Sequence, residues 1–480
     1  MAKKKRSGSG KPVAANNATN KTSTKSKSKA SAKKPNKDIK DLRSTSTEGW
    51  FSRFNTTEDA IPLSDYASYI PGILMVAMIA LVLVLDLFTE MMADSQYYDF
   101  HNAFRVFDYI SIATGLMFLV YKGVTKELTI CVRDAFFAGF MVCIRISTCI
   151  NGLSHEAAFG MPIRYIGIFN MFAFFIIYMK VSGYIERVSF RYRILDGYML
   201  VSIAVALSTL YERFAGDIAA YQGKEGVCSI FANPNHYGYF ISMAVMIGIG
   251  YFIYDDGWRM YVGAASALIN LIVLVMNNTL GAELAIGITV LVSVVVILIL
   301  DRDNKARVKK VLTMSGFFAV CVIVAIAISP EARSSVTTLL EDVGNILSGS
   351  STGREGSGRL VLWEATVGYI KEKPLFGYGC EGITTMLLEN IGEGDAHCEP
   401  LTYAAYYGIP GALLYLGGIV ASAVVYFKNR AKLPVYCRIA FMAASAYFIS
   451  SLVGVVMFYT APFFFIFMGM AMEDRRPAKE

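Results

Sequence analysis

The chain has 480 residues, 55% of them hydrophobic, with a mean hydropathy of +0.46, which excludes a soluble globular protein of this length. The formal net charge of +7 is a property of one end, because residues 1–37 carry twelve Lys and Arg and no acid. Residues 1–69 form a tail rich in Lys, Ser, Thr, Ala and Asn, with too few apolar side chains to bury a core, so disorder is expected there. The tail lacks the apolar stretch and small-residue cleavage site of a signal peptide. It reads as a cytoplasmic segment that touches anionic lipid headgroups, with no nucleic-acid partner.

From residue 70 onward, apolar runs long enough to cross about 30 Å of hydrocarbon recur. About twelve are legible, at 70–88, 107–121, 135–150, 165–179, 197–210, 237–254, 258–276, 282–300, 311–329, 404–427, 435–458 and 461–472. Backbone in lipid must satisfy its own hydrogen bonds, so these runs predict helices and an all-α, polytopic membrane protein. The domain plan is then nine spans over 70–329, a polar loop over 330–403, three spans over 404–472 and a short tail over 473–480. The boundary between the last two spans is blurred by the apolar run from Val455 to Phe465. No repeat of 20–50 residues is visible.

Basic residues concentrate in cytoplasmic loops, and that bias orients the chain. With the N-terminus inside, the short outer loops hold only Arg105, Arg164, Arg213 and Lys224, while the inner loops and C-terminal tail hold twenty bases. Both termini are therefore expected in the cytoplasm and the 330–403 loop on the external face of the plasma membrane. Five of the eight cysteines sit in or beside spans as small apolar residues. A Cys380–Cys398 bridge within the loop stays open, because sequence carries no geometry.

The loop itself has internal order. Val336, Leu339, Leu340, Val343, Ile346 and Leu347 recur at helical spacing and predict one amphipathic helix. A Ser/Gly-rich stretch follows, then a second helix with Leu360, Trp363, Val367 and Ile370 on one face, stopped by Pro374. Both helices are expected to lie along the membrane surface. In the turn Pro374-Leu375-Phe376-Gly377-Tyr378-Gly379, the glycines permit backbone that other residues resist.

These residues carry a resemblance. Arg359, Trp363 four residues on, the 374–379 turn, His397-Cys398-Glu399 and the Gly408-Ile409-Pro410-Gly411 element resemble the signature region of the O-antigen ligase and O-antigen polymerase superfamily. The Asn233-Pro234-Asn235 element resembles the one that opens a middle helix in that family. The resemblance implies a membrane glycosyltransferase in surface polysaccharide biosynthesis. Such an enzyme moves a glycan from a polyprenyl diphosphate carrier to an acceptor hydroxyl on a glycan, lipid or protein, commonly without a metal or other cofactor. The basic tail favours a polymerase over a ligase.

Roles follow residue by residue. His397 matches the family's loop histidine and is the candidate base for the acceptor hydroxyl, histidine being the side chain that titrates near neutrality. Cys398 stands where the family usually has asparagine, which leaves the imidazole's orientation unexplained; Glu399 could hold the imidazole or replace it as base. Arg359 and Arg354 are candidate diphosphate clamps, since guanidinium forks match phosphate oxygens. Trp363, Asn233, Asn235 and Arg145 complete the candidate substrate-binding set. The two asparagines equally suit helix capping. Arg145 and Glu283 are intramembrane charges, which mark a cavity or a partner. Asp301-Arg302-Asp303 has the form of a metal-binding pair but reads as a solvated inner loop, and no metal site is expected. The competing class is a transporter or flippase of lipid-linked sugars; such proteins tend to show paired broken helices and related halves, which this sequence lacks.

Overall fold

The computed structural model describes residues 101–473 except 162–163, 185–187, 216–228, 232, 278, 329 and 350–357. The basic tail, the span expected at 70–88, Lys224, Arg354 and most of the C-terminal tail lie outside the described residues. Fifteen α-helices follow in order: α1 (His101–Val124), α2 (Val132–Asn151), α3 (His155–Phe159), α4 (Ile168–Tyr184), α5 (Val188–Ala215), α6 (Pro234–Tyr254), α7 (Trp258–Asn277), α8 (Leu280–Leu300), α9 (Lys305–Ile328), α10 (Pro330–Ser348), α11 (Arg359–Glu372), α12 (Thr384–Ile391), α13 (Glu399–Asn429), α14 (Val435–Ser451) and α15 (Ala461–Met470). There is no strand among the described residues.

Among the described residues seven helices are long and apolar enough to cross a membrane: α1, α2, α5, α6, α7, α8 and α13. Three more, α4, α14 and α15, are apolar but shorter. The chain is thus a polytopic membrane protein, although the expected count of twelve full spans is not met among the described residues. The reason is clearest at α15, whose ten residues reach only about 15 Å. Helix α14 stops at Ser451, so the apolar run after it is a turn leading into α15 rather than more span.

Helix α6 is the core of the bundle and is buried along nearly its whole length. It packs on α7, α14 and α8. Small residues make the α6–α7 approach close: a Cβ on Gly248 would lie 2.4 Å from the Gly263 carbonyl oxygen and 3.0 Å from the Ala267 Cβ. Without a hydrophobic drive between helices in lipid, such close packing is what holds them together. Gly417 and Gly418 of α13 do the same against Phe136 and Phe137 of α2.

The starts of α6, α8 and α13 and the end of α14 share one end of the bundle. Gly238 abuts Thr279 and Ala282, Gly281 abuts Val453, and Gly454 abuts the Tyr239 hydroxyl. At the opposite end, Arg430 reaches Asp301 beyond α8 and Tyr254 at the end of α6. Asp301 also pairs with Arg307 at 3.1 Å. The expectation of a solvated Asp301 is therefore corrected: two guanidiniums hold it as a tie between inter-helix connections.

Both helices expected in the polar loop are present as α10 and α11. The face of α11 buried against protein is Leu362, Thr366 and Ile370. Val367 is exposed, because α11 packs on α13 through the 362–366–370 stripe.

Candidate functional site

Helix α13 breaks its own ladder near its start, and that break builds the site's floor. Gly408 sits at φ 80°, ψ 165°, and Pro410 has no N–H to give the Tyr406 carbonyl. The freed groups find partners in the 374–379 turn. Tyr378 N donates to Ala405 O at 2.9 Å, Gly379 N to Tyr406 O at 2.9 Å, and Ile409 N to Pro374 O at 2.8 Å. Ser147 of α2 also donates its hydroxyl to Tyr406 O at 2.8 Å. The backbones touch so closely that a Cβ on Gly408 would lie 2.1 Å from Leu375 O. The kink and the turn are one unit, with the Ala405 and Tyr406 carbonyls and the Ile409 N–H all paired as burial demands.

A second unit is organised by Arg164, in the connection between α3 and α4. Gly160 and Gly167 bracket it, and a Cβ at either would collide with backbone at 2.2–2.3 Å, so the connection folds tightly back on itself. The guanidinium donates to Glu381 Oε2 at 2.5 Å, Asp395 Oδ2 at 2.9 Å, Gly394 O at 3.0 Å and Thr384 Oγ1 at 3.2 Å. Tyr406 donates its hydroxyl to the same Glu381 oxygen at 3.1 Å. Burial opposes the charge on Arg164, yet Tyr406, Glu381 and Asp395 more than offset it and hold the guanidinium pKa above its usual value.

Asp395 passes this anchoring to His397. Its Oδ1 accepts from His397 N at 2.8 Å and from the Thr402 hydroxyl at 3.3 Å. His397 takes a left-handed φ of 49°, rare for a residue with a Cβ. The imidazole Nδ1 lies 3.1 Å from Asp395 O. A carbonyl oxygen only accepts, so in this contact Nδ1 carries a proton, and in the neutral imidazole the lone pair is then on Nε2. The orienting partner left unexplained by Cys398 is thus the Asp395 carbonyl, two residues earlier.

Glu399 points elsewhere. It is 2% exposed, and its Oε1 accepts from the Tyr415 hydroxyl at 2.7 Å. Tyr403 and Tyr447 lie within hydrogen-bonding reach of the same carboxylate, and the Tyr239 hydroxyl is buried without a hydrogen-bond partner. The Tyr239 and Tyr447 rings are 5.2 Å apart, and both feel the Glu399 charge. Tyr239 also lies within electrostatic reach of Asp395, Cys398 and Arg359. Arg359 opens α11 behind Gly358, which takes a left-handed φ of 78°. Burial lowers the Arg359 pKa, with Tyr239 acting against that. One turn on, Trp363 has a buried indole N–H that lacks an acceptor.

The candidate residues therefore divide. His397, Glu399 and Arg359 gather at the α6 and α13 end of the bundle, although Glu399 neither holds nor replaces the imidazole geometrically. Asn233 caps α6, its side chain accepting from Asn235 N at 2.8 Å, which is the capping reading. Arg145 lies on an exposed face of α2 beside Val142 and Ile146 and is not brought to the other candidates. Arg164, Glu381, Asp395, Tyr239, Tyr415 and Tyr447 were not among the candidates. The glycines bracketing Arg164 were the one local sign available.

Cys380 and Cys398 are both buried free thiols. Burial pushes Cys380 up to about 12 and Cys398 up to about 11. Among the described residues no group of three or more His, Cys, Asp or Glu is placed to hold a metal ion. Residues 265–416 match the family model described as O-antigen ligase. The match runs from within α7 through the kink of α13, and takes in Arg359, Trp363, Asp395, His397 and Glu399. No curated protein matches the chain.

Proposed function

We propose, from the O-antigen ligase match over residues 265–416, that the chain is a membrane glycosyltransferase of surface polysaccharide assembly. Its donor is a glycan on a polyprenyl diphosphate and its acceptor a hydroxyl of a glycan, lipid or protein. The observation that carries this reading is the convergence of Arg359, Tyr239, Glu399 and the Asp395–His397 turn, from three distant parts of the sequence, at one end of the bundle. In the proposed reaction His397 Nε2 takes the proton of the acceptor hydroxyl as its oxygen attacks the anomeric carbon. The bond from that carbon to the diphosphate oxygen breaks, and the electron pair leaves with the diphosphate, whose charge Arg359 balances. Arg354 is a second proposed clamp. Trp363 supplies an N–H and a flat apolar face to the sugar. Glu399 shapes the polar interior beneath them.

The proposed topology places both termini in the cytoplasm and the 330–403 loop outside, in keeping with the Lys/Arg bias. Tail composition favours polymerase over ligase.

The test is a gel profile of surface and lipid-linked glycans from cells lacking the protein, complemented with wild type or His397→Ala. Single repeat units on the final acceptor would establish polymerase, and full-length chains stranded on the carrier would establish ligase. Unchanged glycans in the deletion, or full rescue by His397→Ala, would remove the catalytic assignment.

A further inference from the structure

At the end of the bundle remote from His397, a cleft opens between α8, α13 and α14. Thr289, Val292 and Val296 line it from α8, and Phe441, Ser445 and Ile449 from α14. On α8 and on α14 the lining runs over nine residues, Thr289 to Ile297 and Phe441 to Ile449, so the cleft is about 12 Å long. Val292 is 49% exposed, so the cleft opens sideways, toward where lipid lies around a membrane bundle. Its floor is apolar, and Arg430 and Tyr254 close one end.

The charges at that end do not balance. Arg430 and Arg307 share the single carboxylate of Asp301. Arg438 is only 8% exposed, donates to Arg430 O at 3.1 Å and lies over the Tyr254 ring at 5.4 Å. No carboxylate pairs with it among the described residues. The Nε atoms of both Arg430 and Arg438 are buried without an acceptor. Three guanidiniums against one carboxylate leave a largely buried excess of positive charge, which is costly unless an anion meets it. An apolar cleft ending in uncompensated cations suits a ligand with an acyl chain and an anionic head.

We propose that this cleft holds an acyl chain of an anionic phospholipid whose phosphodiester rests on Arg438 and Arg430. The leaflet concerned is the one opposite the candidate site, so the lipid is a distinct ligand and not the glycan donor. A free phosphate would need the arginines but not the cleft. A zwitterionic lipid would fill the cleft but leave the charge unmet.

The experiment uses the full chain in mild detergent, titrated with phosphatidylglycerol, phosphatidylcholine or inorganic phosphate, with the thermal unfolding midpoint and native mass spectrometry as readouts. Wild type is expected to retain phosphatidylglycerol selectively and to unfold at higher temperature with it. Arg438→Gln should weaken the apparent affinity about fivefold or more, the scale of one basic residue at a lipid surface. Ser445→Trp, which fills the cleft from a half-buried position and leaves all three arginines, should abolish retention. If Arg438→Gln does not fold, Ser445→Trp alone decides. Equal retention of both lipids by wild type would overturn the proposal. So would selectivity unchanged in Ser445→Trp, the result expected of binding through the basic N-terminal tail. Stabilisation by inorganic phosphate that Ser445→Trp leaves intact would also overturn it, by showing a free-anion site.

Discussion

Arg164→Met is the most informative single perturbation of the site. The substitution keeps an unbranched chain in the space and removes the guanidinium that holds Glu381, Gly394, Asp395 and Thr384 together. Side-chain exposure is 12% for Arg164 and 6% for each carboxylate, so water screens the pairs little. Removing one member of a buried pair costs about 3–5 kcal/mol, chiefly because a charge is left uncompensated, and here two carboxylates are left at once. At this chain length each kcal/mol corresponds to roughly 1–2 °C, so the unfolding midpoint should fall by about 3–10 °C. Arg164→Lys, keeping the charge but losing the fork, should lose less. Adding Glu381→Gln to Arg164→Met should recover part of the loss, since the pair is coupled. Thermal unfolding in detergent measures this, with glycan transfer assayed well below the midpoint so that folded fraction does not enter. Transfer should fall at least tenfold, because Asp395 then holds His397 less firmly. A midpoint within 1 °C of wild type together with unchanged transfer would refute the role given to Arg164.

Three further outcomes are expected. Gly408→Ala should cost more than about 3 kcal/mol or prevent folding, because φ is 80° and the new Cβ would sit 2.1 Å from Leu375 O; expression and unfolding midpoint check it. Cys398, with its thiol pushed up to about 11 from an ordinary 9.0, should alkylate at pH 8 about 100-fold more slowly than an exposed cysteine. Since the folded pKa is the higher one, the stability this thiol contributes is complete below about 9 and is lost as pH rises through 11, which midpoints taken between pH 8 and 11 would follow. Arg359→Lys keeps one positive charge but not the bidentate fork, so transfer should drop about tenfold or more, whereas equal rates in the two proteins would remove the diphosphate clamp.

The helical class was legible because apolar run length is a direct reading of the bilayer. The floor of the site was partly legible too. Gly408 and Pro410 in one span announce a kink, and Gly377 and Gly379 announce a turn, although nothing in either segment says that each satisfies the other's backbone. The stripe of α11 buried against protein was not legible, because apolar spacing does not distinguish a face against protein from one against lipid. Arg164 stayed hidden for a different reason. Its partners lie 217–231 residues away, and as a lone base in a short outer loop it counted only toward orientation. Tyr239, Tyr415 and Tyr447 passed as apolar residues within spans, and only burial around Glu399 reveals their hydroxyls as the chemistry of that interior.

That interior supports a final prediction. The Tyr239 hydroxyl, beside the Glu399 carboxylate, is buried without a hydrogen-bond partner. Such an atom costs about 1–3 kcal/mol, a sizeable share of an ordinary folding free energy. A protein that carries such a cost beside Arg359 and the His397 turn retains that hydroxyl for something other than stability. Tyr239→Phe removes the orphan hydroxyl and keeps the ring that packs against Tyr447 at 5.2 Å. The variant should therefore unfold no lower than wild type, and up to several degrees higher, while transferring glycan more slowly. The opposite pattern, a lowered midpoint with transfer unchanged, would mean that the hydroxyl is structural and that the polar interior plays no part in the reaction.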